Sequence, residues 1–169
     1  METRRLVLAA LFAALPVVLS YVPGAIPVAG AKPLPWQHMV NVVAGITLGP
    51  WYAALAATVA AILRNLLGVG TPLAFPGGIP GALVVGFAYR WWRREWVGLL
   101  EPVGTGPVGA TLGALIVAPA VMGKAIPWAT LQAVFLTSSI PGAILGVVVV
   151  KSLQRLGMGP APAVGDRRP

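Results

Sequence analysis

Across 169 residues the chain is 57% hydrophobic and only 9% charged, with a mean hydropathy of +0.85, which is more apolar side chain than one soluble core of that size hides. Its net charge of +8 comes from 12 basic against 4 acidic residues, and Cys is absent, which excludes disulfides, thiolate metal sites and Cys nucleophiles. The class expected is an all-α integral membrane protein, with one six-helix membrane domain over residues 1–156 and a disordered tail over 157–169.

Crossing a hydrocarbon core of about 30 Å takes about 20 helical residues, and six stretches approach that length. Helix 1 is expected from about Arg5 to Val22, bent at Pro16. Its basic start and apolar run also fit a secretory signal, but helix parity favours a retained span. VPGAIPVAGAKPLP (22–35) is apolar, yet too rich in Gly and Pro for a helix. Helix 2, Pro35 to Leu48, is roughly 21 Å long and short for a crossing. Gly49 and Pro50 supply a stop and a new first turn, and helix 3 runs from Pro50 to Leu67.

A second apolar Gly/Pro-rich segment, GVGTPLAFPGGIPG, fills Gly68 to Gly81. Helix 4 is expected from Gly81 to Trp92, ending in the basic and aromatic run YRWWRREW, which suits a membrane interface. EPVGTGP (101–107) reads as a linker and helix 5 as Val108 to Met122. The last apolar run, Ala129 to Val150, is expected to be interrupted at Pro141 and Gly142.

Six crossings put both termini on one side, and the positive-inside rule makes that side the cytoplasm. Arg4, Arg5, Arg90, Arg93, Arg94, Lys151, Arg155, Arg167 and Arg168 then lie inside, leaving Lys32, Arg64 and Lys124 outside. Non-helical backbone cannot face lipid, because its unsatisfied N–H and C=O groups cost several kcal/mol each. The two apolar loops, both outward, therefore imply a pocket open to the outside or capped from it. Ile79 to Ala82 (IPGA) recurs as Ile140 to Ala143, and paired Gly/Pro breaks in apolar segments point to transport sites. In a chain with 21 Gly and 17 Pro, chance also supplies such tetrads.

AKPLPWQHMVN (31–41) concentrates what polarity there is: Lys32, Trp36, Gln37, the only His at His38, and Asn41. On a helix starting at Pro35, Gln37, His38, Asn41 and Gly45 share a sector of roughly 100°, a polar stripe over a Gly floor. Lys32 either lines the pocket or snorkels to the interface; His38 either meets a ligand or bridges helices. Arg64 and Asn65 either line the pocket or anchor helix 3. Trp36 and Phe75 are candidates to stack on a ring, or members of an aromatic belt. Thr137, Ser138 and Ser139 precede Pro141 and read as site lining or as back-bonding to their own helix. Ala9, Ala10, Ala13 and Ala14 make two overlapping AxxxA pairs, a spacing that lets membrane helices approach closely.

No acidic residue is expected within the membrane, so no carboxylate couples transport to protons or sodium. There is no Walker motif, no GxSxG, and no metal-binding set beside His38; metal ions, cofactors and nucleic acid are not expected partners.

GAKPLPWQHMVNVVAGITLGPWYA (30–53), followed by LRNLLGVGTPLAFPGG (63–78), resembles the ThiW family, substrate-binding S components of energy-coupling factor (ECF) transporters for the thiazole precursor of thiamin. The match covers about residues 20–90. The resemblance implies a six-helix S-component fold in a prokaryotic plasma membrane, an outer ligand pocket, and docking through small residues of helix 1 onto a T component driven by two ATPase subunits. Carried over by position, Lys32, Gln37, His38, Asn41, Arg64, Asn65 and the turn Phe75, Pro76, Gly77 sit in the matching motifs, and Ala9 with Ala13, or Ala10 with Ala14, in the docking stripe. Pro33 and Gly78 depart from it.

The expected function is binding of a thiamin precursor, hydroxyethylthiazole, without chemistry. Trp36 and Phe75 would hold the ring, Gln37, His38 and Asn41 its polar groups, with Ser138 and Ser139 as further lining. The alternatives are an S component for another small vitamin, or a membrane enzyme using His38 as general base.

Overall fold

The computed structural model of the chain describes residues 2–22 and 34–158; Lys32, Pro33 and the expected tail beyond Met158 lie outside the described residues. The Ala- and Leu-rich start, made of good helix formers, gives α1 (Glu2–Leu19), with Pro16 inside it. α2 (Pro35–Leu48) and α3 (Pro50–Leu66) both begin on a proline, whose missing N–H has no helical acceptor in a first turn anyway. One residue joins them. Gly49 stands at φ 82°, a conformation that a side chain strains. The two helices run antiparallel, since Arg64 near the end of α3 reaches Gln37 near the start of α2.

After α3 the chain folds through a 3-10 turn at Pro72–Ala74 into α4 (Ile79–Trp92). Asn65 braces this loop, its Nδ2 donating to the carbonyls of Ala61 at 2.8 Å and Thr71 at 3.0 Å. α4 ends at Arg93, the one non-glycine with positive φ among the described residues, at 52°, which costs an L-residue roughly 1–2 kcal/mol.

Two expectations fail here, for one reason. EPVGTGP is not a linker: a continuous helical rod, α5 (Glu95–Met122), runs through it, opening with a 3-10 stretch at Glu95–Leu100 and widening into π-turns at Gly104–Gly109 and Gly113–Val117. Pro141 and Gly142 do not interrupt the last run either; α6 (Trp128–Arg155) is one 28-residue helix with Pro141 inside it. In water these residues favour turns, whereas in an apolar environment a helix is the one local way to pair the backbone. Pro107 is absorbed by a π-turn, and around Pro141 Ser138, Ser139, Gly142 and Ala143 are buried against neighbours that hold the helix together.

α2 is the hub. Ten of its residues are buried, so it offers no face to lipid, and α1, α3, α4 and α6 all pack on it. Val42, Val43 and Ile46 meet Val85 of α4 and Ala143, Val147 and Val150 of α6 in the main core cluster. The outer surface stays apolar, with Leu6, Val7, Leu11, Leu15 and Val18 of α1 all exposed, as a lipid-facing helix requires.

The rods alternate in direction, and the packing assigns each to an end. Arg5, Gly49, Arg90 and Arg93 surround one cavity, and Gln154 of α6 reaches Glu95 at 3.1 Å at that same end. The start of α2, the end of α3 and the first half of α6 meet at the other. The beginning of α1 and the end of α6 therefore share the Gly49 end, as six crossings demand.

Candidate functional site

At the end opposite Gly49, a cavity of about 380 Å³ lies between α2, the end of α3, the loop after it, and α6. Its apolar wall includes Leu34, Val69, Leu73, Val134 and Phe135; its polar lining includes Gln37, His38, Arg64, Thr71 and Ser138. Among the described residues no carboxylate lines it. Arg64 is 9% exposed. Its guanidinium donates to Gln37 Oε1, while its Nε has no partner among the described residues. A buried guanidinium with an unfilled N–H is costly unless an acceptor reaches it.

Behind His38 stands the residue that sequence reasoning missed. Glu101, on the first α-helical turn of α5, is fully buried at 0% exposure. Its Oε1 lies 2.8 Å from His38 Nδ1 and accepts from Asn41 Nδ2 at 3.0 Å. The Thr105 hydroxyl, one turn further along α5, is 2.8 Å from the same oxygen and 3.2 Å from the Gly77 carbonyl. Asn41 Nδ2 also donates to the Gly78 carbonyl at 3.0 Å. One carboxylate thus ties α2, α5 and the loop before α4 together. The expectation that no acid lies within the membrane is corrected: in EPVGTGP the flanking Pro and Gly mark Glu101 as an exposed turn residue, and only the continued helix buries it.

His38 is fixed at both nitrogens. Nδ1 lies 2.8 Å from Glu101 Oε1, and Nε2 lies 3.1 Å from Ser138 Oγ, which is also 3.1 Å from the Phe135 carbonyl. With a neutral ring the Ser138 hydroxyl donates to Nε2; with a charged ring Nε2–H donates to Oγ and the hydroxyl turns to Phe135. Both states are satisfied, so His38 serves as a fixed wall whatever its charge.

Ser138, His38 and Glu101 are connected in the order of a hydrolytic triad. However, Ser138 lies mid-helix in α6, where backbone N–H groups are consumed by the helix and none is free to stabilise an oxyanion. Among the described residues no three His, Asp or Glu cluster to hold a metal ion.

The expected site residues divide. Gln37, His38, Arg64, Gly77 and Ser138 line the cavity. Asn41 sits behind it on Glu101, and Asn65 holds the loop. Trp36, Phe75, Pro76 and Ser139 are not among the lining residues, and Lys32 lies outside the described residues. The aromatic wall is instead Phe135, three positions before Ser138 on α6; that spacing, which puts both on one helix face, was the signal available. Gly45 is not a cavity floor, because its α-carbon faces Val85 and Gly86 of α4. Both IPGA tetrads flank the network: Gly81 leaves room for Glu101 and Thr105, and Gly142 lets α6 close on Pro35 and His38. On α1, Ala9 and Ala13 are buried against Leu48 and Ala56, whereas Ala10 and Ala14 are exposed.

A family model described as thiamine-precursor transporter protein (ThiW) matches residues 6–156. The biotin transporter BioY of Rhodobacter capsulatus is 37% identical over 126 residues, 68% of this chain, and the chain spans 64% of that relative's length. A crystal structure of the S-component for biotin from an ECF-type ABC transporter superposes with a TM-score of 0.60 at 23% identity, over 91% of this chain and 92% of that one. The fold is the ECF S-component fold.

Proposed function

Because the chain belongs to the ThiW family of thiamine-precursor transporter proteins, a family of transporters and not of enzymes, we propose that it is the substrate-binding S component of an ECF importer. It takes a thiazole-type thiamin precursor from outside the cell and delivers it through a T component and two ATPase subunits. The end bearing Gly49, the beginning of α1 and the end of α6 is cytoplasmic, and the protein spans a prokaryotic plasma membrane.

Arg64 carries the ligand class: it is a buried guanidinium on the cavity wall with no carboxylate beside it. Glu101 stands behind His38 and off the wall, so the fixed charge presented to a ligand is positive. Hydroxyethylthiazole, or its phosphate, offers an acceptor to Arg64 and Gln37 while its ring packs on Phe135 and Leu73. A charge-assisted hydrogen bond contributes about 1.5–3 kcal/mol, roughly tenfold to a hundredfold in affinity, and the positive thiazolium of thiamin is disfavoured by repulsion from the same guanidinium. Biotin is the second reading, favoured by the 37% identity to a biotin transporter; its carboxylate suits the same guanidinium. Isothermal titration of the purified chain with hydroxyethylthiazole, its phosphate, thiamin and biotin tests this. Thiazole binding tightest supports the proposal, biotin tightest selects the second reading, and thiamin equal to the thiazoles removes Arg64 as the selector.

The docking stripe narrows to Ala10 and Ala14. They are the small residues of α1 left free for a T component, while Ala9 and Ala13 are used within the chain.

A further inference from the structure

A second cavity, of about 180 Å³, lies at the Gly49 end, remote from the first. Arg5 of α1 and Arg90 and Arg93 of α4 line it, together with Thr47, Tyr52 and Tyr89. Among the described residues no carboxylate lines it. Glu95 is not on its wall and accepts from Gln154 Nε2 at 3.1 Å, and among the described residues no salt bridge engages Arg5, Arg90 or Arg93. Thr47 is spent on its own helix, its hydroxyl donating to the Val43 carbonyl at 2.7 Å. That leaves guanidinium groups and phenols facing a small space, joined on one wall by Trp51 and Tyr52 in the first turn of α3, where the helix dipole is positive.

Arg93 holds the left-handed conformation at φ 52° that ends α4. Its Nε donates to the Arg90 backbone carbonyl at 3.3 Å, which holds the Arg93 side chain against the last turn of α4. Strained backbone of this kind persists where the surroundings hold it, often at binding sites. The cavity lies below the range of about 300–1,000 Å³ usual for whole small-molecule ligands, so it suits a single anionic group. Trp51 on its wall is 68% exposed, an aromatic side chain of the kind that sits at headgroup depth.

We propose that this cavity binds a phosphoryl group, held by Arg90 and Arg93 with Arg5 opposite, and that in the bilayer the group is the headgroup phosphate of an anionic lipid. Basic recesses between membrane helices bind such headgroups by charge.

The test is native mass spectrometry of the full chain in detergent with phosphatidylglycerol or phosphatidylcholine, in parallel with ligand titration at the first cavity. Wild type is expected to retain phosphatidylglycerol about tenfold or more over phosphatidylcholine, and Arg90→Gln with Arg93→Gln to lose that preference with binding at the first cavity unchanged. Arg93→Gly guards against misfolding, because glycine is at ease in the left-handed conformation; it too is expected to weaken retention. Inorganic phosphate separates the sources. Competition by it means that the phosphoryl group suffices, and lack of competition means that the acyl chains contribute. Equal retention of the two lipids, or a preference that survives both arginine variants, overturns the proposal. So does loss of T-component association in the double variant with lipid retention intact, which would assign the cavity to a protein partner.

Discussion

The two ends of the bundle are made from the same helices and solve opposite problems. At the Gly49 end the connections are short, α2 turning into α3 through one glycine, and arginines stand in partly exposed positions at helix ends. At the cavity end the α3–α4 connection is long and apolar, and although Lys124 between α5 and α6 is exposed, Arg64 and Glu101 are buried. The first end gathers charge where water and headgroups solvate it; the second puts it where only protein, or a ligand, can. That difference teaches where binding free energy resides: buried charge without full pairing is costly, so it persists where a partner arrives from outside the chain.

The largest expected effect is at Glu101. Glu101→Ala removes the shared acceptor of His38, Asn41 and Thr105, and is expected to cost about 3–5 kcal/mol of stability, read as a large drop in the unfolding temperature in detergent, together with loss of ligand binding. A variant that unfolds like wild type would mean that the network does not hold the cavity end together. Next is Gly142→Val, which forces α6 off His38 and Pro35. A loss of about 1–3 kcal/mol with weaker ligand binding is expected, whereas a neutral result would show that the α2–α6 contact yields easily.

Arg64→Gln sharpens the comparison from the ligand's side. Stability is expected to hold, since a costly buried charge is removed, while affinity for the preferred ligand falls about tenfold to a hundredfold. An unchanged titration would place the ligand away from Arg64. On α1, Ala10→Trp with Ala14→Trp is expected to abolish uptake while affinity stays within about twofold; Ala9→Leu is expected to destabilise by about 1–3 kcal/mol through overpacking. Uptake indifferent to Ala10 and Ala14 would move the docking surface elsewhere.

The smallest perturbation reads the sidedness of the two ends. Because the chain has no Cys, Thr71→Cys or Ser152→Cys introduces a single thiol at an exposed position. An impermeant maleimide added to whole cells is expected to label the first and spare the second, and the reverse pattern would invert the orientation.

The helix count, the starts of α2 and α3 at Pro35 and Pro50, and the segregation of basic residues were legible in the sequence, because apolar run length and proline in a first turn act locally. So were Gln37, His38 and Arg64, conspicuous as polar residues in an apolar chain. Tertiary structure alone decided what those residues meet. Nothing local tells Ala9 from Ala10: one packs on α3 and the other is exposed, a matter of which way α1 is rotated. Nothing local makes Phe135 rather than Trp36 or Phe75 the cavity's aromatic wall, since that follows from how α6 lies across α2. Glu101 is the clearest case. In sequence it stands before Pro and Gly like a turn residue on the surface, and only the packing of α5 against α2 and α4 turns it into the acceptor that His38, Asn41 and Thr105 share.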